Sequence, residues 1–193
     1  MRELRETILR QGQCVRDSIV KVDMFLNHRL DTRLMFAMGR ELADYFGKDK
    51  PDIVLTVEAS GIALALAAAH FLDDIPVVFA KKSPAANQSA DMLTAVAHSF
   101  THGNDNALRV DRRYLPAGSR VLVVDDFLAD GEASRALISI VEQAGCTLVG
   151  VGIAVEKGFQ PGGRKLREAG VNLKSLAIVT SIQDGRIQLA DDD

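Results

Sequence analysis

The sequence predicts an α/β fold built on one mostly parallel sheet of about five strands, with helices on both faces. Three features point to it. Near-continuous apolar runs recur through the chain: DIVLTV (52–57), IPVVFAKK (75–82), RVLVVDD (120–126), TLVGVGIAVEK (147–157) and LKSLAIVTSI (173–182). Strands covered on both faces read this way. Helical segments, IALALAAAHFL (62–72) and ASRALISIVEQAG (133–145), separate them. That alternation belongs to parallel strands joined by crossover helices, and the turns EASG and FLADGE punctuate it.

The elements follow in order. Residues 2–11 (RELRETILRQ) place Leu4, Ile8 and Leu9 on one helical stripe, with Gly12 as the stop. Residues 20–23 (VKVD) alternate as a short strand. Asp31 is an N-cap for a helix carrying Leu34, Met35, Met38, Leu42 and Phe46, which Gly47 ends. The strand and helix alternation then runs from residue 52. Residues 82–115 break it. SPAANQSAD (83–91) is a loop with little to bury. MLTAVAHSF and NALRVDRRYL are two antiparallel strands joined by the turn THGND. An insertion of this size within an α/β core is usually functional. The expected organisation is one domain over 1–193. In it 82–115 form a flap and hairpin, and 1–30 with 158–193 form a hood and covering segments.

Composition narrows the class. With 193 residues, 47% hydrophobic and 25% charged, the chain can bury a sizeable core, so disorder is excluded as its main state. A net charge of −3 argues against a bulk electrostatic grip on nucleic acid. The longest apolar stretch, 61–69, is far below the ~20 residues that span a bilayer, and no secretory signal is visible. Two cysteines, Cys14 and Cys146, fit a reducing compartment and two buried thiols. These readings predict a cytoplasmic protein without membrane or nucleic-acid partners. His28, His70, His98 and His102 have no metal-ligand spacing, and no protein metal site is expected.

The stretch VLVVDDFLADGEAS (121–134) carries the chemistry. A strand ends in Asp125 and Asp126, a short loop holds Gly131, and a helix begins. Ligands of open α/β sheets lie at the carboxyl ends of strands. A helix N-terminus offers unpaired N–H groups to a phosphate. Two carboxylates would repel a phosphate but suit hydroxyls or a metal. Together these describe a pocket for ribose 5-phosphate. The same residues also fit acids that merely cap a strand and a helix. Likewise EASG can be only a turn before a helix, Phe127 and Val20 only core residues, and Asn27 only a turn residue.

This stretch resembles the signature of the type I phosphoribosyltransferases, which use phosphoribosyl diphosphate. Within that family the chain is similar to the bacterial xanthine-using enzymes over nearly its whole length. The similar segments include KVDMFLNHRLD (21–31), VEASGIALA (57–65), PVVFAKK (76–82), LTAVAHSFT (93–101), VDDFLADGEA (124–133), QAGCTLVGVGIAVEKGFQPG (143–162) and VNLKSLAIV (171–179). The resemblance implies a parallel sheet with a hood, usually as a homodimer. It implies transfer of phosphoribosyl to xanthine, giving xanthosine 5-monophosphate and diphosphate. Magnesium would be held mainly by substrate oxygens and water.

The resemblance also implies residue roles. Asp125 and Asp126 take the ribose hydroxyls. Ala129, Asp130, Gly131, Glu132 and Ala133 form the 5-phosphate loop. Ala59, Ser60 and Gly61 face the diphosphate, and Lys81 and Lys82 end the second strand on that side, with Lys81 assigned to the contact. Val20, Asn27, Phe127 and Lys157 surround the base. Two departures stand out. The loop carries acids at Asp130 and Glu132 where the family has hydroxyls and glycines, so both should point outward. Pro84 stands where the family often has a further cation. Ala129 replaces the aspartate of hypoxanthine–guanine enzymes, and the Lys157 ammonium, a donor only, disfavours adenine. The alternatives are a guanine, hypoxanthine or adenine enzyme, or a non-catalytic sensor of phosphoribosyl diphosphate. A side chain at Gly131 is expected to block phosphate without unfolding the chain.

Overall fold

The computed structural model describes residues 1–15, 19–83, 91–98, 105–183 and 185–191. Its centre is a six-stranded sheet. In chain order its strands are β3 (Ile53–Val57), β4 (Val77–Ala80), β7 (Arg120–Leu128), β8 (Thr147–Lys157), β9 (Leu173–Gln183) and β10 (Arg186–Leu189). They lie side by side as β10-β9-β8-β7-β3-β4. Five are parallel and β10 pairs antiparallel with β9 at the edge. The predicted strands are all present. β10 escaped the sequence reading because its alternating, half-exposed RIQL is too short to give a pattern.

Three helices cover one face: α1 (Arg2–Gln11), α2 (Thr32–Phe46) and α3 (Gly61–His70). α4 (Glu132–Gln143) and a hairpin of β5 (Met92–His98) and β6 (Asp105–Asp111) cover the other. The first core holds Leu4, Ile8, Met38, Leu42, Phe46 and Leu64 against Val54, Leu122 and Val124. The second packs Leu137, Ile140 and Val141 of α4, with Leu93 and Leu108 of the hairpin, against Leu55, Val121 and Val123. Adjacent β7 residues alternate between the two cores, the period-2 geometry of a strand buried on both faces.

Local signals operate as predicted along α2. Asp31 caps it, accepting the Leu34 N–H at 3.1 Å, and all five predicted core residues are buried. Gly12 ends α1 through a 2.8 Å bond to the Ile8 carbonyl. Leu9, however, is 61% exposed. Thr7 takes its place in the buried stripe, because its hydroxyl donates back to the Glu3 carbonyl at 2.9 Å and so can be buried. The strand expected at 20–23 spans Ile19–Lys21 (β2), pairs with β1 (Gln13–Val15), and gives way to a π-helical turn, Asp23–Asn27. A short α5 (Gly162–Glu168), with Leu166 its one large apolar residue, was also not legible in the sequence. The turn expected at 101–105 and most of the 83–91 loop lie outside the described residues.

The hairpin is fastened to the sheet. Lys81, just past β4, exchanges two 2.9 Å backbone hydrogen bonds with Arg109 of β6. The bridge carries the hairpin over the carboxyl ends of β3 and β4.

Candidate functional site

The connections decide where a ligand can enter. From β3 the chain crosses through α3 to β4 on one side, whereas from β7 it crosses through α4 to β8 on the other. β3 and β7 are neighbours whose helices leave on opposite faces. A crevice opens where the winding reverses. A cleft of about 270 Å³ lies there, lined by Glu58, Ser60, Lys82, Asp125, Asp126 and the whole 127–134 segment, with Ala97 and Leu108 of the hairpin.

Both helix N-termini reach this cleft. Ser60 precedes α3, and Gly131 precedes α4. The first amides of a helix have no intrahelical acceptor and carry its positive dipole end. Gly131 has φ +84°, a left-handed conformation that turns the chain from β7 into α4. Ala129, Asp130, Glu132 and Ala133 line the cleft beside it.

The two aspartates are the electrostatic centre. Asp125 and Asp126 are 5% and 7% exposed at the end of β7. Asp125 accepts the Asp126 backbone N–H at 2.9 Å. Burial first, then the neighbouring Asp126 charge, pushes the Asp125 carboxyl well above the usual carboxylate range, against the pull of that N–H and of Lys82. Gly61 lies directly beneath. A Cβ there would stand 2.7 Å from Asp125 Oδ1 and would also overlap the Thr56 hydroxyl. Its lack of a side chain therefore makes room for the acid.

The other predicted residues distribute as follows. Asn27 is brought to the pair, its amide donating to Asp126 Oδ2 at 3.4 Å. Phe127 lines the cleft, and the Lys157 ammonium lies 5.8 Å from its ring centre, within cation–π range. Burial lowers the Lys157 pKa while the Asp130 charge raises it. Glu132 is paired with Arg135 on its own helix. Val20 is 5% exposed, in the core against which Phe127 packs. Ala59 is exposed, and the Glu58–Ala59 peptide is cis.

Lys81 is exposed and does not line the cleft; Lys82 does. The backbone of Lys81 is committed to the Arg109 bridge. The Lys82 N–H donates to Glu58 Oε1 at 2.6 Å, tying the end of β3 to the segment after β4. The sequence showed two adjacent lysines. The β-bridge to the hairpin decides which of them lines the cleft.

A magnesium ion brought by a substrate fits this donor set. Two carboxylates buried together repel each other, and a hard, oxygen-preferring dication beside them would relieve that repulsion. Among the described residues no cluster of three His, Cys, Asp or Glu could hold a metal alone, and no helix is long and apolar enough to cross a membrane.

Two outcomes follow from this geometry. A carboxyl raised above its unfolded value of ~3.9 stabilises the fold below that pH and loses the contribution as pH rises through its folded value. Asp125→Asn should therefore raise Tm at pH 7–8, narrow its pH dependence, and abolish turnover. Thermal melts across pH check it, and an Asp125→Asn protein with lower Tm at pH 8 contradicts it. At Gly131 the structure adds a stability cost to the expected block of phosphate. Any side chain there adopts a left-handed backbone and meets Gly162 Cα at 3.1 Å. Gly131→Val should cost about 1–3 kcal/mol of stability as well as phosphate binding. Gly131→Asn, better tolerated in that conformation, should cost less stability yet still weaken phosphate binding, as denaturant melts and ligand titration would report.

Comparisons with known proteins bear on this arrangement. The Phosphoribosyl transferase domain family matches residues 26–184. Xanthine phosphoribosyltransferase 1 of Clostridium perfringens is 45% identical over 187 residues, 97% of this chain and 98% of that protein. Xanthine phosphoribosyltransferase of Bifidobacterium animalis subsp. lactis is 48% identical over 182 residues, 94% of each. Among solved structures, the Giardia lamblia adenine phosphoribosyltransferase bound to 9-deazaadenine superposes with a TM-score of 0.74 at 19% identity, covering 91% of this chain and 96% of that one. That of Rhodothermus marinus gives 0.73 at 23%, covering 92% and 99%; both speak to fold alone. An acid pair at the winding reversal, a glycine-turned loop into a helix N-terminus, and relatives of this identity along the whole chain place it in the phosphoribosyltransferase family.

Proposed function

We propose that this chain transfers the 5-phosphoribosyl group from phosphoribosyl diphosphate to xanthine, forming xanthosine 5-monophosphate and diphosphate. The observation that carries the reading is the cleft itself. It combines a buried acid pair, a loop that Gly131 turns into the start of α4, and the Phe127 ring, 5.8 Å from whose centre the Lys157 ammonium lies. The acids suit ribose hydroxyls and the amides suit the 5-phosphate. The lysine suits an oxygen-rich purine that loses a proton readily near neutral pH. The full-length xanthine-using relatives support the same choice.

In this reading Asp125 and Asp126 hold the ribose hydroxyls, with Asn27 steadying Asp126. Gly131 and the first turn of α4 bind the 5-phosphate, and Ala129, Asp130, Glu132 and Ala133 frame it. Ala59, Ser60, Gly61 and Lys82 face the departing diphosphate, with Lys81 at the margin. Mg²⁺ carried on the substrate supplies charge neutralisation for that departure. No side chain need act as nucleophile: positioning and electrostatics carry an oxocarbenium-like transfer. The hairpin lines the cleft through Ala97 and Leu108, where it can exclude water. Phe127 takes the base face, Lys157 an exocyclic oxygen, and Val20 backs them from the core.

The reading includes one domain over 1–193, a cytoplasmic setting, and a homodimer. Phe36 and Leu66 on α2 and α3 are 46% and 62% exposed, an apolar surface suited to a second copy. Sedimentation at assay concentration should give twice the chain mass, and a monomer contradicts this part.

The deciding assay is turnover with phosphoribosyl diphosphate, Mg²⁺ and each purine base. Xanthine should lead, guanine and hypoxanthine should follow well behind, and adenine should be inactive. An ammonium facing an amino group is a desolvated donor–donor mismatch costing ~1–3 kcal/mol, roughly ten- to hundredfold. Lys157→Met should flatten the ranking, mainly by losing xanthine in kcat/KM. Because burial holds the lysine below its usual pKa, xanthine turnover should fall at a lower alkaline pH than an ordinary lysine would give. Adenine as best substrate, or an unchanged ranking, overturns the base assignment. Binding of phosphoribosyl diphosphate without turnover of any base favours a sensing protein instead.

A further inference from the structure

Glu156 is the most enclosed acid outside the catalytic cleft, 3% exposed on β8 immediately before Lys157. Its carboxylate is saturated with donors. Arg167 of α5 gives two parallel bonds, Nη1 to Oε1 at 2.7 Å and Nη2 to Oε2 at 2.6 Å, and the Ser175 hydroxyl of β9 adds a third at 2.5 Å. The Arg167 side chain is 44% exposed at its other side, so the pair anchors α5 from its outer turn inward. A two-pronged arginine–carboxylate pair fixes orientation as well as distance.

What this pair holds down is the neighbour of the phosphate loop. α5 opens with Gly162 and Gly163. The Gly162 N–H donates to the Ala129 carbonyl at 3.0 Å. A Cβ on Gly162 would stand 2.6 Å from the Gly131 nitrogen and 2.8 Å from the Asp130 carbonyl carbon. A Cβ on Gly163 would collide with Glu156 Oε1. The start of α5 is thus wedged, backbone to backbone, between the loop at 129–131 and the Glu156 carboxylate. The connection from β8 is equally short: the Gln160 N–H bonds the Lys157 carbonyl at 2.8 Å, and Gly158 is pinned to Val179 at 2.8 Å. Glu156 therefore touches, through one rigid segment, both the residue placed on the base and the loop placed on the phosphate.

We propose that Glu156, with Arg167 and Ser175, is a positioning residue for the transfer: it clamps the Gly162–Gly163 backbone against the phosphate loop and so sets that loop and Lys157 in mutual register. The clamp rests on the phosphoribosyl-transfer reading and deepens it. Glu156 touches no substrate. It acts by denying the loop the freedom to move away from the 5-phosphate, and misplacement by about an ångström can cost roughly a hundredfold in rate.

The test uses Glu156→Gln, Ser175→Ala, and the pair Arg167→Met and Arg167→Lys in the full chain. Each is measured for Tm, for phosphoribosyl diphosphate affinity by calorimetry with Mg²⁺, and for kcat and KM with whichever base the parent turns over. Ser175→Ala leaves the two arginine bonds and keeps the test open if Glu156→Gln does not fold. Expected are a rise of about tenfold or more in phosphoribosyl diphosphate Kd and KM for Arg167→Met, partial recovery in Arg167→Lys, and a smaller rise in the same direction for Ser175→Ala. A lower Tm with Kd and KM unchanged in the folded variants marks a merely structural ion pair and overturns the proposal. A parent that fails to bind phosphoribosyl diphosphate overturns the transferase reading and the clamp with it. A parent that binds while every variant binds equally well overturns the clamp alone.

Discussion

The burial of two adjacent carboxylates at the end of β7 is the constraint around which the molecule is arranged. Like charges side by side in a low-dielectric crevice are costly, and the surrounding structure answers that cost locally. One backbone N–H is turned back onto Asp125, the Asn27 amide reaches Asp126, Lys82 supplies a distant positive charge, and Gly61 vacates the space above Thr56. None of these is a full counter-ion. The crevice is left with negative charge in excess, an environment that favours a cationic partner. A buried, under-compensated charge gives up stability, and such groups cluster at functional sites.

That placement is possible because the sheet reverses its winding between β3 and β7. With α3 and α4 departing on opposite faces, neither helix closes the crevice, and both present their N-termini to it. One reversal thus yields acids from a strand end and amides from two helix starts within one cleft. The remaining parts extend this arrangement. The hairpin, fastened by the Lys81–Arg109 bridge, walls one side through Ala97 and Leu108, and the end of β8 brings Lys157 beside Phe127.

The acids of the loop before α4 illustrate how neighbours reassign a side chain. On sequence alone Asp130 and Glu132 threaten a phosphate. In the fold Glu132 is taken by Arg135, three residues on along α4, and Asp130 acts on Lys157.

The sheet, the two crossover helices and the acid–loop–helix signature were legible because each depends on local pattern: continuous apolar runs, glycine and aspartate punctuation, and adjacent acids after a strand. The capping of α2 by Asp31 and its buried Leu34, Met35, Met38, Leu42 and Phe46 were legible for the same reason. Long-range contacts were not. Which of two lysines lines the cleft follows from a bridge to a hairpin 28 residues away in sequence. Leu9 lost its predicted core position to Thr7, whose hydroxyl is satisfied one turn back. Glu156, Arg167 and Ser175 carried no recognisable spacing, because they meet only when β8, α5 and β9 pack together. Local periodicity specifies elements and their exposed chemistry; the partner of a buried charge is chosen by packing between elements distant in sequence, and only the folded chain brings those partners within bonding distance.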